Sequence, residues 1–325
     1  MRVVFLGSDP IALPLLDWLA GEGRGLAEVV AVFTQPDRPT GRGQRVQVGP
    51  IKAWGAARNL PIHQPEKLTE AERTALESLR PDLSLVTAYG QILRDPFIAT
   101  PRLGTLNLHA SVLPAWRGAS PIQAAIASGA RATGVSLMRI VRQLDAGPVA
   151  DVESVPIEPL DTATEIAAKL GAACVPLLAR SLPLLAGGRL GFTEQAADQA
   201  TYCRRLTKDD GGLDFAVPAE ILAARINALT PWPGCSVEIG GQPVKFSQAE
   251  ARPGRTEAAP GEVLGADADG LLIATGAGVL RVRRLQRPGG RELAAGEFLR
   301  GRPVPRGTRL PSRPMPAFSA PRPFR

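Results

Sequence analysis

Histidine, tyrosine and cysteine are scarce in this chain, and each shortage removes possibilities. Two histidines (His63 and His109), two tyrosines and three cysteines stand among 325 residues. Cys174, Cys203 and Cys235 lie about thirty residues apart, without the paired spacings of metal knuckles or disulfide frameworks, so they read as buried thiols. No run of about 18 apolar residues occurs, so no membrane span is expected. The opening Met1-Arg-Val-Val-Phe-Leu-Gly7 turns polar at Ser8-Asp9, too soon for a signal peptide, and the expected location is the cytoplasm. The first strand is not followed by G-x-G-x-x-G, and G-x-x-x-x-G-K-[ST] occurs nowhere, which argues against a dehydrogenase or a kinase. Asp267-Ala-Asp269-Gly270 starts like a calcium loop, but its twelfth position would be Gly278 rather than an acid, so it reads as a hairpin turn.

What is present describes an ordinary globular protein, long enough for two domains, with 44% apolar residues. The formal charge of +7 is local. Residues 300–325 hold seven arginines and no acid, so the rest of the chain has 31 cations against 31 anions. Two further clusters, Arg38/Arg42/Arg45/Lys52 and Arg281/Arg283/Arg284/Arg287/Arg291, suggest a polyanionic partner.

Hydrophobic patterning predicts strands at 2–6, 28–33, 82–87 and 104–109, with helices at about 10–21, 50–58, 69–79 and 120–128. Strands alternating with helices imply an α/β fold, a Rossmann-like, mostly parallel sheet covered on both faces. Two β-branched stretches, 134–141 and 148–157, precede a long helix at about 162–187. After a helix at 217–229, short strands near 235–239, 243–248, 261–265, 271–275 and 278–285 suggest a smaller C-terminal β-barrel of the OB-like kind. The expected organisation is a catalytic domain at 1–188, a linker at 189–206 and a second domain at 207–301. The Pro/Arg-rich tail at 302–325 cannot build a core of its own and is expected to be disordered.

The chemistry concentrates at the end of one strand. Asn107 and His109, two residues apart, project to the same face at its C-terminal end, where ligands bind in open α/β sheets. Asp145 lies on a turn after a neighbouring apolar stretch. An amide can hold a developing oxyanion, an imidazole can move a proton near neutral pH, and a carboxylate can orient that imidazole. The set suits acyl transfer to an amine, which needs no serine or cysteine nucleophile. The two tryptophans Trp116 and Trp232 are expected to pack in the core.

Longer motifs surround these residues. Ser111-Val-Leu-Pro-Ala-Trp-Arg-Gly-Ala-Ser-Pro-Ile122 resembles the S-L-L-P-x-W-R-G-A-x-P-I signature of the methionyl-tRNA formyltransferase family. Asn107-Leu-His109 and Leu144-Asp145-Ala-Gly147 are similar to folate-dependent formyltransferases generally. Thr34-Gln-Pro-Asp-Arg38-Pro-Thr-Gly-Arg42-Gly-Gln resembles the family's tRNA-contacting loop, and Thr230-Pro-Trp-Pro233 and Gly241-Gln-Pro-Val-Lys245 its second domain. The likeness covers about residues 1–310.

The resemblance implies formyl transfer from 10-formyltetrahydrofolate to the α-amino group of initiator methionyl-tRNA, with no metal. It makes Asn107, His109 and Asp145 catalytic. Ser111, Val112, Leu113 and Pro114 would contact the folate, as would Tyr89, Gly90, Gln91, Ile92 and Leu93. Arg38, Arg42 and Arg45 would contact tRNA, on a loop at 34–49 expected to be mobile until tRNA orders it. A monomer is expected. The first turn, Gly7-Ser-Asp-Pro, departs from the family's commoner G-T-P, and Gln44-Arg45 replaces a frequent lysine pair. Two alternatives stand beside this reading: a folate-dependent formyltransferase acting on a sugar amine or another small amine, and a non-catalytic RNA-binding protein.

Overall fold

The computed structural model describes residues 1–40, 45–254 and 256–324. The chain forms two compact units. Unit 1 comprises Met1–Arg117, Gly134–Val155 and Ala167–Ala200; unit 2 comprises Gly118–Thr133, Pro156–Ile166 and Thr201–Arg325. The second unit therefore recruits two short segments from within the stretch read as one catalytic domain, and residues 189–206 divide between the units near residue 200.

In chain order the strands of the first half are β1 (Arg2–Gly7), β2 (Glu28–Phe33), β3 (Arg38–Thr40), β4 (Arg45–Gln47), β5 (Ile62–His63), β6 (Leu83–Thr87) and β7 (Thr105–His109). A two-residue β8 (Arg117–Gly118), β9 (Ala132–Arg139) and β10 (Val149–Pro156) follow. Helices α1 (Leu13–Ala20), α2 (Pro50–Ala56), α3 (Glu70–Ser78) and α4 (Asp95–Ile98) connect the early strands. Helix α5 (Pro121–Ala127) precedes β9, and α6 (Ala163–Ala186) follows β10.

The central sheet of unit 1 has the order β10-β9-β7-β6-β1-β2-β5. It is parallel from β5 through β7, and β9 runs antiparallel to β7. Because β1 lies between β2 and β6, the chain winds outward from β1 in both directions, and the C-terminal edge there opens a crevice. Val3, Val4, Phe5 and Leu6 of β1 are fully buried, each such large side chain contributing about 1.5–3 kcal/mol. Local signals agree with the packing. Thr69 and Glu72 form a reciprocal capping box that starts α3. At the first turn, where the sequence departs from G-T-P, the Asp9 carboxylate accepts from Ile11 N at 2.9 Å and caps the helical segment, with Pro10 in its first turn.

Helix α6 is long and apolar enough by composition to cross a membrane, which the absence of a continuous apolar run had not suggested. Half of its most apolar window is buried inside the fold. Leu170, Ala173, Cys174, Leu177 and Leu178 form a buried stripe at helical spacing, as in the core helix of a globular protein.

Unit 2 is centred on a curled, antiparallel half-barrel. Its elements are β11 (Tyr202–Cys203), α7 (Ala219–Ala228), β12 (Cys235–Ile239), β13 (Gln242–Arg252), β14 (Val263–Ala266), β15 (Leu271–Ala274), β16 (Val279–Gln286), β17 (Glu292–Ala294), α8 (Ala295–Gly301) and β18 (Ser319–Ala320). The sheet order is β12-β13-β16-β15-β14, with β17 on β16. Buried Asn227 ties α7 to β13 by exchanging hydrogen bonds with both backbone groups of Ala249, each at 2.9 Å.

The tail is ordered, contrary to the expectation for 302–325. Val304, Leu310 and Phe318 are buried, and β18 pairs antiparallel with β11. Arg225 donates to the carbonyl of Pro316 at 3.0 Å, and Arg204 to that of Ala317 at 2.9 Å. Composition argued correctly that this segment lacks a core of its own. It borrows one, because its backbone carbonyls accept from the buried Arg225 and the half-buried Arg204.

The arginines of β16 are also corrected. Arg281 pairs with Glu250, Asp267 and Asp269, Arg283 with Glu250, Arg284 with Glu292, and Arg291 with Glu297. Four of the cluster's five arginines are thus paired with acids of the same unit, which weakens the argument it gave for a polyanion. Trp232, expected in the core, is 53% exposed.

Candidate active site

Strand β7 delivers two side chains to the C-terminal edge of the unit 1 sheet. Its burial pattern leaves only Asn107 partly open, while Leu106, Leu108 and His109 are buried. Asn107 lies opposite Met138 and His109 opposite Ser136 on β9, so the register of that pair sets how far the imidazole extends.

Both ring nitrogens of His109 face acceptors. Nε2 is 3.1 Å from the carbonyl oxygen of Trp116. A carbonyl only accepts, so the proton of the neutral ring sits on Nε2. Nδ1 lies 3.7 Å from Oδ2 of Asp145, within ion-pair range and longer than a hydrogen bond. Catalytic contacts are often long before substrate binds, and this one has room to shorten. His109 and Asp145 thus face each other, and Asn107 shares the strand face of His109.

The turn after β7 is braced from within. Ser136 Oγ donates to the carbonyl of Ser111 at 2.7 Å and accepts from Leu113 N at 3.0 Å. Ser111 itself is fully buried, and its hydroxyl donates to the Ala115 carbonyl at 2.6 Å. Its side chain therefore shapes the turn, and Val112 and Pro114 are the half-buried members of the motif. Trp116 adopts φ of 56° and is half-buried.

The segment after β6 is similarly divided. The Tyr89 ring packs among Val4, Leu6, Phe33 and Phe97, and burial pushes its phenol above its ordinary pKa. Its carbonyl, by contrast, accepts from Gln35 Nε2 at 3.1 Å. Gly90 takes φ of 79°, Gln91 donates to the Pro65 carbonyl at 2.8 Å, Leu93 is buried and Ile92 is 87% exposed. Leu144, beside Asp145, is 63% exposed. Both are large apolar side chains on loops near the site strands, and exposed apolar surface of that kind is what a flat aromatic ligand covers.

The basic segment at 34–49 is a hairpin in its arms, with Arg38 opposite Gln47 and Pro39 opposite Val46. Its root is fixed at Asp37, which accepts from Lys52 and, at 3.0 Å, from Gln64. The Lys52 ammonium and the Gln64 amide hold the Asp37 carboxyl below the usual carboxylate range. Arg38 makes an exposed 3.4 Å pair with Glu66, a contact that solvent screens. Arg42 and the Arg45 side chain lie outside the described residues.

Two groups were missed in the sequence. Arg117, inside the signature, and Gln195, inside the stretch read as linker, form a half-buried link to the Asp145 loop. Periodicity gives no signal for a glutamine whose partners are 48 to 78 residues away. Among the described residues, no three His, Cys, Asp or Glu side chains converge as a metal site would require.

This geometry can be set beside known proteins. The Formyl transferase family matches residues 1–181, and the Formyl transferase, C-terminal domain family matches residues 205–303. The methionyl-tRNA formyltransferase of Halorhodospira halophila is 42% identical over 301 residues, covering 93% of this chain and 96% of that protein. The chain belongs to the methionyl-tRNA formyltransferase family. A second member, from Ralstonia nicotianae, is 41% identical, with 96% and 98% of the two chains covered. Among solved structures, HypX from Aquifex aeolicus in complex with tetrahydrofolic acid superposes with a TM-score of 0.63 at 18% identity. That match covers 96% of this chain and 51% of HypX, and it speaks for the fold alone. Formyl transfer is the family's activity, and folate its carrier.

Proposed function

We propose that this enzyme transfers the formyl group of 10-formyltetrahydrofolate to the α-amino group of initiator methionyl-tRNA, as a monomer in the cytoplasm and without a metal. The observation that carries the reading is His109, held between the Trp116 carbonyl and the Asp145 carboxylate beside the half-open Asn107. The folate supplies an activated formyl carbon, and the tRNA supplies the amine that attacks it. The new C–N bond leaves negative charge on the formyl oxygen; as that charge returns to carbon, the bond to folate N10 breaks, and tetrahydrofolate departs with the proton the amine gives up. The Asn107 amide donates to that oxygen. The Nε2–H of His109, resting on the Trp116 carbonyl, is handed to it as the charge develops. Asp145 faces Nδ1 at 3.7 Å and orients the ring so that its other nitrogen points to the reacting oxygen.

In this reading the folate ring lies over Ile92 and Leu144 and meets the backbone of Tyr89, Gly90, Gln91 and Leu93. Val112 and Pro114 bound its other side, with Ser111 and Leu113 shaping the turn. Arg38, Arg42 and Arg45 meet the acceptor-stem phosphates from the hairpin rooted at Asp37. Phosphate contacts of this kind weaken with salt.

The test is transfer of labelled formyl to initiator and elongator methionyl-tRNA, with Arg42→Ala in parallel. Expected are preference for the initiator, weaker tRNA binding by the variant, and a salt slope smaller by about one unit. Folate binding without transfer to tRNA would move the substrate to a small amine.

A further inference from the structure

The Asp145 carboxylate sits on a loop with a 3.3 Å backbone bond of its own, from Ala146 N to the Gln143 carbonyl, and a 3.0 Å bond from Arg139 N to the Pro148 carbonyl at its end. Asp145 has φ of 47°, a left-handed conformation that non-glycine residues adopt rarely. Two residues on, Gly147 passes so close to β9 that a Cβ there would stand 2.0 Å from the Arg139 carbonyl oxygen. Something must keep this loop in place.

Further support comes from residue 195. Gln195 Nε2 donates to the carbonyls of Asp145, at 2.9 Å, and Gly147, at 2.7 Å. Its Oε1 accepts from Nε and Nη2 of Arg117, at 2.9 and 2.7 Å. Arg117 is only 3% exposed. Both donor hydrogens and the oxygen of the amide are thereby used, which fixes which way the amide faces. The charged guanidinium polarises the amide and strengthens its N–H donors toward the loop. Arg117 follows Trp116, whose carbonyl holds the other side of the His109 ring. One stretch, Trp116-Arg117, therefore holds His109 directly and the Asp145 loop through Gln195.

We propose that Gln195 is a positioning residue, relaying the buried Arg117 to the Asp145 loop so that the carboxylate stays aimed at His109 Nδ1. The idea rests on the catalytic reading of Asp145 given above. It assigns a role to a residue that touches neither substrate, and it gives the signature arginine a task other than ligand binding.

Gln195→Glu separates the two ends of the relay. The carboxylate still accepts from Arg117, so that contact survives as an ion pair. It cannot donate to the two loop carbonyls, which now face a negative oxygen. Gln195→Met removes both ends. The chain's two histidines make the readout simple, because ¹⁵N-histidine NMR of the full-length protein gives one ring to follow at His109 and an internal control at His63.

Expected for Gln195→Glu is a fall in kcat of at least tenfold, with KM for folate and tRNA within about threefold and thermal unfolding near that of the unaltered protein. The His109 titration should move in the same direction as in Asp145→Asn, with His63 unmoved. A His109 titration unchanged by both Gln195→Glu and Gln195→Met, while Asp145→Asn moves it, overturns the relay. If Asp145→Asn moves the titration but leaves kcat intact, the catalytic reading of Asp145 fails, and the relay is then judged on NMR alone.

Discussion

His63 and His109 are the chain's only histidines, and both end strands of the same sheet at the same edge. Their surroundings differ in kind. His63 stacks flat on Phe33, with ring centroids 4.4 Å apart and planes at 10°, and its buried Nε2 has no hydrogen-bond partner among the described residues. Burial lowers its pKa, partly offset by the nearby Glu72 carboxylate. His109 has an acceptor at each nitrogen, one a carbonyl and the other a carboxylate. A ring packed as a flat apolar surface serves the core. A ring held by polar groups at both nitrogens is oriented for proton traffic. Position in the fold does not distinguish the two; the partners do.

The comparison breaks most sharply at His109 itself. His109→Gln should lower kcat by about 100-fold or more, the scale of losing a principal oxyanion donor, with little change in thermal stability. Asn107→Ala should fall in the same range and spare folate binding, checked by ligand titration. Asp145→Asn should cost less, about tenfold or more, because the carboxylate acts through the ring. Steady-state kinetics orders all three.

At His63 the expected effects are smaller and of another type. His63→Phe keeps the stack and removes a buried nitrogen without a partner, so turnover should stay within about threefold and stability should hold or rise. The pH dependence sharpens this. With the folded pKa of His63 below the ordinary value, the unfolded chain takes up its proton first as pH falls through about 6.5. His63 therefore favours the folded state less as pH drops below that point, and its effect levels off once pH passes the folded pKa. Denaturant unfolding across this range should show a shallower loss in His63→Phe than in the unaltered protein.

Much of this was legible in the sequence. The apolar runs of β1 and β2, the alternating polar pair on β7 and the helix at about 69–79 are local signals, and local signals survive into the fold. The signature after β7 located the site. What escaped depends on partners distant in the chain. Arg281 looked like a free cation until the β13–β16 register placed Glu250 opposite it. The tail's order rests on its carbonyls accepting from Arg204 and Arg225 of unit 2. Gln195 lies in a segment without periodicity, and its role exists only where the chain returns to Arg117 and Asp145. Trp232 kept its surface because short turns need not bury their aromatics.

The most direct test of the account is transfer of labelled formyl from 10-formyltetrahydrofolate to initiator methionyl-tRNA, with His109→Gln and His63→Gln measured beside the unaltered enzyme. The account predicts that the unaltered enzyme formylates the tRNA, the His63 variant stays within about threefold of it, and the His109 variant loses about 100-fold or more. A His109 variant within threefold of the unaltered enzyme would contradict it.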